Sequence, residues 1–253
     1  VTTGSSNVAV GAYAGDAINT GAGNVILGVL AGTAMTTGGD NVSIGYASLQ
    51  SADGGEHENV AIGTGAGNLI NNDASSDNVL VGHLAGKGGT GEIDRCVAIG
   101  HQAMDGTGSL GGTQNIFIGN DAGGGTWTTA ASNSNVAIGA TAMSSALNGA
   151  LGNTALGHDT LKALTSGDNN VAVGSGAGDA LTTGYSNVLI GKDVLGVADG
   201  GEQNNVVIGF NAGSAINHNS TAANVIIGSH AAVGGTGYIS RNVIIGDDAL
   251  VDL

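Results

Sequence analysis

One five-residue phrase, Asn-Val-x-[Val/Ile/Leu]-Gly, returns along the whole chain and confines it to few folds. "NVAIG" stands at residues 59–63 and again at 135–139, and close variants open at 7, 24, 41, 78, 187, 205 and 242. Anchored on the asparagine, the phrase defines fourteen units: Asn7, Asn24, Asn41, Asn59, Asn78, Cys96, Asn115, Asn135, Asn153, Asn170, Asn187, Asn205, Asn224 and Asn242. Successive spacings are 17, 17, 18, 19, 18, 19, 20, 18, 17, 17, 18, 19 and 18. A repeat of this kind is one structural unit that buries its apolar face only by stacking on its neighbours.

The first five spacings recur as the last five, at an offset of 146 residues. Residues recur with them: "ADGGE" at 52–56 returns at 198–202, and Arg95 returns as Arg241. The chain therefore reads as one continuous array, 1–253, built on an eight-unit block, with copies at 7–152 and 153–253, the second incomplete. It opens on "VTTG" and closes on "DDALVDL", partway through a unit, and reads as a section of a longer array.

Within a unit the phrase predicts a short β-strand bounded by turn residues. A small residue and then Gly or a larger apolar residue follow, as in Ala14-Gly15 and Ala103-Met104, and predict a second, flatter strand. A polar loop takes up all the length variation. Units of 17–20 residues are too short for a strand and a crossover helix. The expected fold is all-β, a parallel β-solenoid (β-roll) of about 14 coils, each strand stacking on its copy in the next coil. Proline, which removes a ladder hydrogen bond, is absent. Gly11, Gly28, Gly45 and their equivalents are expected at φ > 0, and the asparagines are expected to stack as an amide ladder broken once, at Cys96.

Side chains alternate along a strand, so Val8 and Val10 face one way and Ala9 the other. The middle position holds Ile26, Leu80, Phe117, Leu189 and Ile226 in other units, so both faces are apolar. The flanking residues are expected to fill the coil, and the middle ones to lie in a core shared between chains. The thin interior of such a coil also predicts self-association.

The phrases "NVAIGTGAG", "NVAVGSGAG" and "NVAIGATAM" resemble the left-handed β-roll repeats in the heads of trimeric autotransporter adhesins. They resemble still more the long repeats of bacteriophage tail fibres. The resemblance covers the whole chain. It implies a homotrimeric fibre, end-to-end continuation, an extracellular location on a cell surface or virion, and a receptor met through other parts of the fibre.

The remaining chemistry is sparse. A formal net charge of −15 repels nucleic acid and anionic membranes, and no apolar run reaches the roughly 20 residues of a membrane helix. Loop acids Asp53, Glu56 and Glu58, echoed by Asp199 and Glu202, are candidate Ca²⁺ ligands, because Ca²⁺ takes oxygen donors. The alternative is a solvated acidic corner. His83 and His101, each following the corner glycine of adjacent coils, are expected to stack about 4.8 Å apart as exposed residues. Cys96 is expected to be a buried, inert thiol. No nucleophile stands with a base, and no carboxylate pair sits on a strand, so no catalytic residue and no other cofactor is expected. The expected role is a stiff spacer within an adhesin or tail fibre. The competing role is a binding module that contacts a receptor or glycan through its variable loops, which loop truncation separates from a spacer.

Overall fold

A computed structural model describes residues 3–198, 200–214, 216, 221–234 and 239–250. Every regular element among them is a β-strand of two or three residues. The chain divides into two compact units, Val1–Asn133 and Ser134–Leu253. The division falls in the longest spacing of the repeat, the 20 residues from Asn115 to Asn135.

The first unit contains β1 (Val8–Val10), β2 (Val25–Leu27), β3 (Val42–Ile44), β4 (Val60–Ile62), β5 (Val79–Val81), β6 (Ile93–Asp94), β7 (Val97–Ile99), β8 (Gly112–Thr113) and β9 (Ile116–Ile118). The second contains β10 (Val136–Ile138), β11 (Thr154–Leu156), β12 (Val171–Val173), β13 (Val188–Ile190), β14 (Val206–Ile208), β15 (Val225–Ile227) and β16 (Val243–Ile245). In the first unit β1, β2, β3, β4, β5, β7 and β9 pair in parallel in that order. In the second, β10 to β16 do the same. The register joins like to like, as in Ala61↔Leu80 and Leu189↔Val207. β6 and β8 form a small second sheet in the loop layer. The all-β parallel β-solenoid read from the repeat is the observed fold.

Each three-residue strand ends because a glycine with φ between +130° and +144° follows it in every coil. Sterics exclude a side chain there twice over. The φ disfavours any Cβ, and a Cβ on Gly174, for example, would lie 2.3 Å from the Gly191 carbonyl oxygen of the next coil.

The expected second strand is instead a run of turns. The residues six and eight places after the anchor adopt left-handed backbone, as at Leu30 (φ 60°) with Gly32 (φ 53°) and Thr141 (φ 55°) with Met143 (φ 50°). Leu30 donates to Ala12 O of the preceding coil and Gly32 to Ser48 O of the following one, while the Ala31 N–H between them donates to Gly28 O of its own coil. A flat parallel strand would send residues 30 and 32 to the same neighbour, so the turns replace the strand's hydrogen-bond pattern as well as its direction.

The strand faces are the reverse of those expected. The middle residue points into the coil: Ile26, Leu80, Phe117 and Leu189 are fully buried within the single chain. The flanking residues point outward, with Val10 55% and Leu27 45% exposed. Closure decides this. A three-residue side of a narrow tube has its centre nearest the axis, so only the middle side chain reaches the interior.

Two further columns fill the coil. In several coils the residue six places after the middle one is small where the middle one is large: Phe117 faces Gly123, whose Cβ would meet the ring at 2.5 Å, and Leu80 faces Gly86 at 2.3 Å, whereas Leu189 and Leu195 are both large and buried. Small Ala98 and Ala137 are matched by buried Met104 and Met143. Where both are small, as at Ala61 and Gly67, Leu49 and Leu80 of the adjacent coils fill the space. Close packing demands such compensation. The third column comes from the segments read as polar loops, through buried Ile18, Met35, Ile70, Leu164 and Leu181.

Candidate functional site

The outward face of the strands carries exposed aliphatic side chains in each unit. Seven strands present their first and third residues, and in the two units together Thr154 is the single polar residue among them. Val8, Val25, Leu27, Ile62, Ile99, Ile190 and Val243 are all exposed. Val, Ile and Leu side chains, with Thr154 among them, therefore form two columns, stepping by the strand spacing of about 4.8 Å. Isolated exposed aliphatics are ordinary on any protein, but a contiguous patch of this extent marks an interaction surface.

One edge of this sheet is fixed by the asparagine column. In each unit the Oδ1 of one Asn accepts the backbone N–H of the next, at 2.9–3.2 Å, as in Asn24 to Asn7 and Asn170 to Asn153. The same oxygen accepts the next Nδ2 at 2.8–3.4 Å. That Nδ2 also donates to a loop carbonyl, as from Asn41 to Glu56 O (2.9 Å) and Asn170 to Gly184 O (2.7 Å). Asn41, Asn59, Asn78, Asn153, Asn170, Asn187, Asn205 and Asn224 repeat this double role in the interior of the stacks. Asn7 holds Gly21 O, Asn115 holds Ser132 O, Asn135 holds Ala150 O, and Asn242 closes the column on Asn224. Each interior amide is thus saturated on both sides, which is why it can be buried.

Cys96 takes this place once. Its N–H donates to Asn78 Oδ1 (2.9 Å), its thiol lies 3.2 Å from Gly112 O, and its sulfur accepts the Asn115 N–H at 3.4 Å. The amide link is replaced by weaker sulfur contacts. Burial pushes the thiol up to about 11, so the sulfur is no nucleophile at neutral pH.

The loops are not outside the stack. Glu56 and Glu202 are fully buried, which overturns the reading of their loops as solvated corners. The Glu56 Oε2 accepts the Gly54 N–H at 2.9 Å, and the Glu202 Oε2 accepts the Gly200 N–H at 3.2 Å. Burial, and after it the charges of Asp53 and Asp73, holds the Glu56 carboxyl above the usual carboxylate range, against the pull of the backbone N–H groups of Glu56 and Gly54. One oxygen from each of Asp53, Glu56 and Asp73 lies within 4.8 Å of the other two. Asp73 comes from the next coil's loop and was invisible as a partner in the sequence. Asp53 and Asp73 are exposed. Glu58 is exposed beside His57 and stands outside this group. Asp199 lies outside the described residues.

His83 and His101 stack with ring centroids 5.1 Å apart and 16° between planes. A second acidic trio, His230 with Asp247 and Asp248, lies within the same 4.8 Å limit but has both aspartates exposed. The groove lined by Thr33, Ala34, Gln50, Ser51, Asp53 and Asn71 is open and holds about 460 Å³. No protein-family model matches the chain, and neither curated proteins nor solved structures give a match.

Proposed function

We propose that this chain is a section of the shaft of an extracellular fibre, on a bacterial surface or a phage virion, in which copies of the chain pack against one another as a homotrimer. It acts as a spacer, and attachment to a receptor belongs to other parts of the fibre. The observation that carries this reading is the aliphatic outward face of the strands in each unit. An interface of ordinary size takes roughly 800 Å² from each partner, and the partly exposed aliphatic side chains, fourteen in the first unit and thirteen in the second, supply area of that order. The face repeats at the strand spacing, and a second copy of this chain has the same step by construction. Valine and isoleucine ladders then interdigitate along their whole length without a register mismatch.

The test is a charge pair on the outward face. Val188→Glu with Ile190→Glu should leave the coil folded by circular dichroism and abolish self-association in sedimentation equilibrium. A wild-type chain that is folded and monomeric, or a double variant that still assembles as wild type does, refutes the reading. Retained assembly with adhesion lost on loop truncation would favour the loop-binding role instead.

A further inference from the structure

The geometry points to a Ca²⁺ site formed by Asp53 and Glu56 of one loop and Asp73 of the next. Three carboxylates converge there, each offering an oxygen within 4.8 Å of the others. Oxygens bound to one Ca²⁺ at about 2.3–2.6 Å lie no further apart than about 5 Å, so a single ion can reach all three. The cluster alone would be an ordinary acidic surface. Glu56 sets it apart: its side chain is fully buried, and its Oε1 has no hydrogen-bond partner. A buried carboxylate with one oxygen lacking a donor, grouped with two further carboxylates, is costly unless a cation completes it.

The backbone is arranged to leave that oxygen free. The Gly54 N–H is spent on Glu56 Oε2, and the Gly55 N–H on Asp73 Oδ1 at 3.0 Å. A Cβ at residue 54 would lie 1.7 Å from Asp73 Oδ1, so the glycine lets the neighbouring loop's carboxylate come close. Asp53 also lines the open groove described above, which gives an ion and its water ligands a path from solvent. Three carboxylates with water suit the weak Ca²⁺ sites of extracellular modules, with Kd of about 0.1–1 mM. Bound there, the ion ties together the loops of two successive coils. The sequence copy 146 residues on keeps Asp199 and Glu202 but has Asn219 in place of Asp73, so one ion per chain is expected.

The test is calorimetric titration of the EDTA-stripped full chain with CaCl₂, together with thermal melts. Saturable binding of one ion and a melting temperature several degrees higher in Ca²⁺ support the site. Glu56→Gln and Asp73→Asn should each weaken binding at least tenfold. Asp73 is exposed, so its variant keeps the assay interpretable should the buried substitution fail to fold. Absence of saturable binding overturns the proposal, as does unchanged affinity in Asp73→Asn. So does an equal thermal shift from NaCl of the same ionic strength, which would show only screening of the net negative charge. None of these readouts depends on whether the chain self-associates.

Discussion

A buried amide is tolerated in each coil because the next coil completes it. Removing one orphans groups on both sides. Asn170→Ala would leave the Asn187 N–H and the Gly184 carbonyl without partners. At about 1–3 kcal/mol for each orphaned group, the loss should be about 3 kcal/mol or more, read from urea unfolding. Cys96 is the converse case. Cys96→Asn restores the amide between Asn78 and Asn115 and should raise stability by about 1 kcal/mol. The native thiol also carries a pH signature. It ionises at about 11 in the fold against 9.0 for a free thiol. The unfolded chain therefore releases its proton first, so the thiol's contribution to stability is level below pH 9 and falls between pH 9 and 11. The Asn variant should lose that decline, and a thiol reagent at pH 8 should modify the native protein only as it unfolds. Rapid labelling of the folded chain contradicts this account.

The coil closes through glycines of two kinds, and they predict different costs. Gly174, at φ +130°, would place a Cβ 2.3 Å from a backbone oxygen. Gly176, at φ +67°, would meet only the Asp193 carboxylate, which can turn away, and its position holds Leu30 and Asp159 in other coils. Gly174→Ala should cost more than about 3 kcal/mol and Gly176→Ala about 1–2, compared by thermal melts. The inward position of the middle strand residue gives a third contrast. Leu189→Asp places an unpaired charge inside a single coil and should unfold it whether or not chains associate. The loops follow the same logic. A spacer loop outside the stack would tolerate deletion of Glu56–Glu58. In this coil the Glu56 carbonyl accepts Asn41 Nδ2, the Glu58 N–H donates to Gly39 O, and His57 bridges to Ser76. The deletion should lower the urea midpoint as severely as a deletion within "NVSIG".

For the whole molecule two forces oppose each other in assembly. In the assembly proposed above, the aliphatic columns would draw copies together, while 20 acids against 5 bases push them apart. Salt screens the second and barely touches the first, with a Debye length falling from about 30 Å at 0.01 M to about 10 Å at 0.1 M. Self-association should therefore tighten as NaCl rises across that range, in sedimentation at fixed protein concentration. Weakening with salt would mean that ion pairs, not the Val/Ile face, hold the copies together.

The sequence by itself determined the coil: the spacing of the Asn phrase, the glycine closing each strand and the missing proline admit little but a stack of short parallel strands. It also marked Asp53 and Glu56 as candidate ligands. Only the tertiary structure decided which strand face is inside. With alanine, leucine or phenylalanine in the middle and valine or isoleucine on either side, alternation carries no sign, and coil closure supplies it. A local signal was present, in the inverse sizes of Phe117 with Gly123 and Ala137 with Met143, but it gains meaning only once the two positions are known to face each other. Asp73 joined its site for a related reason. It is 17 residues from Glu56 along the chain, and stacking brings one loop onto the next, so the carboxylates meet across coils in a way no spacing within a unit can show.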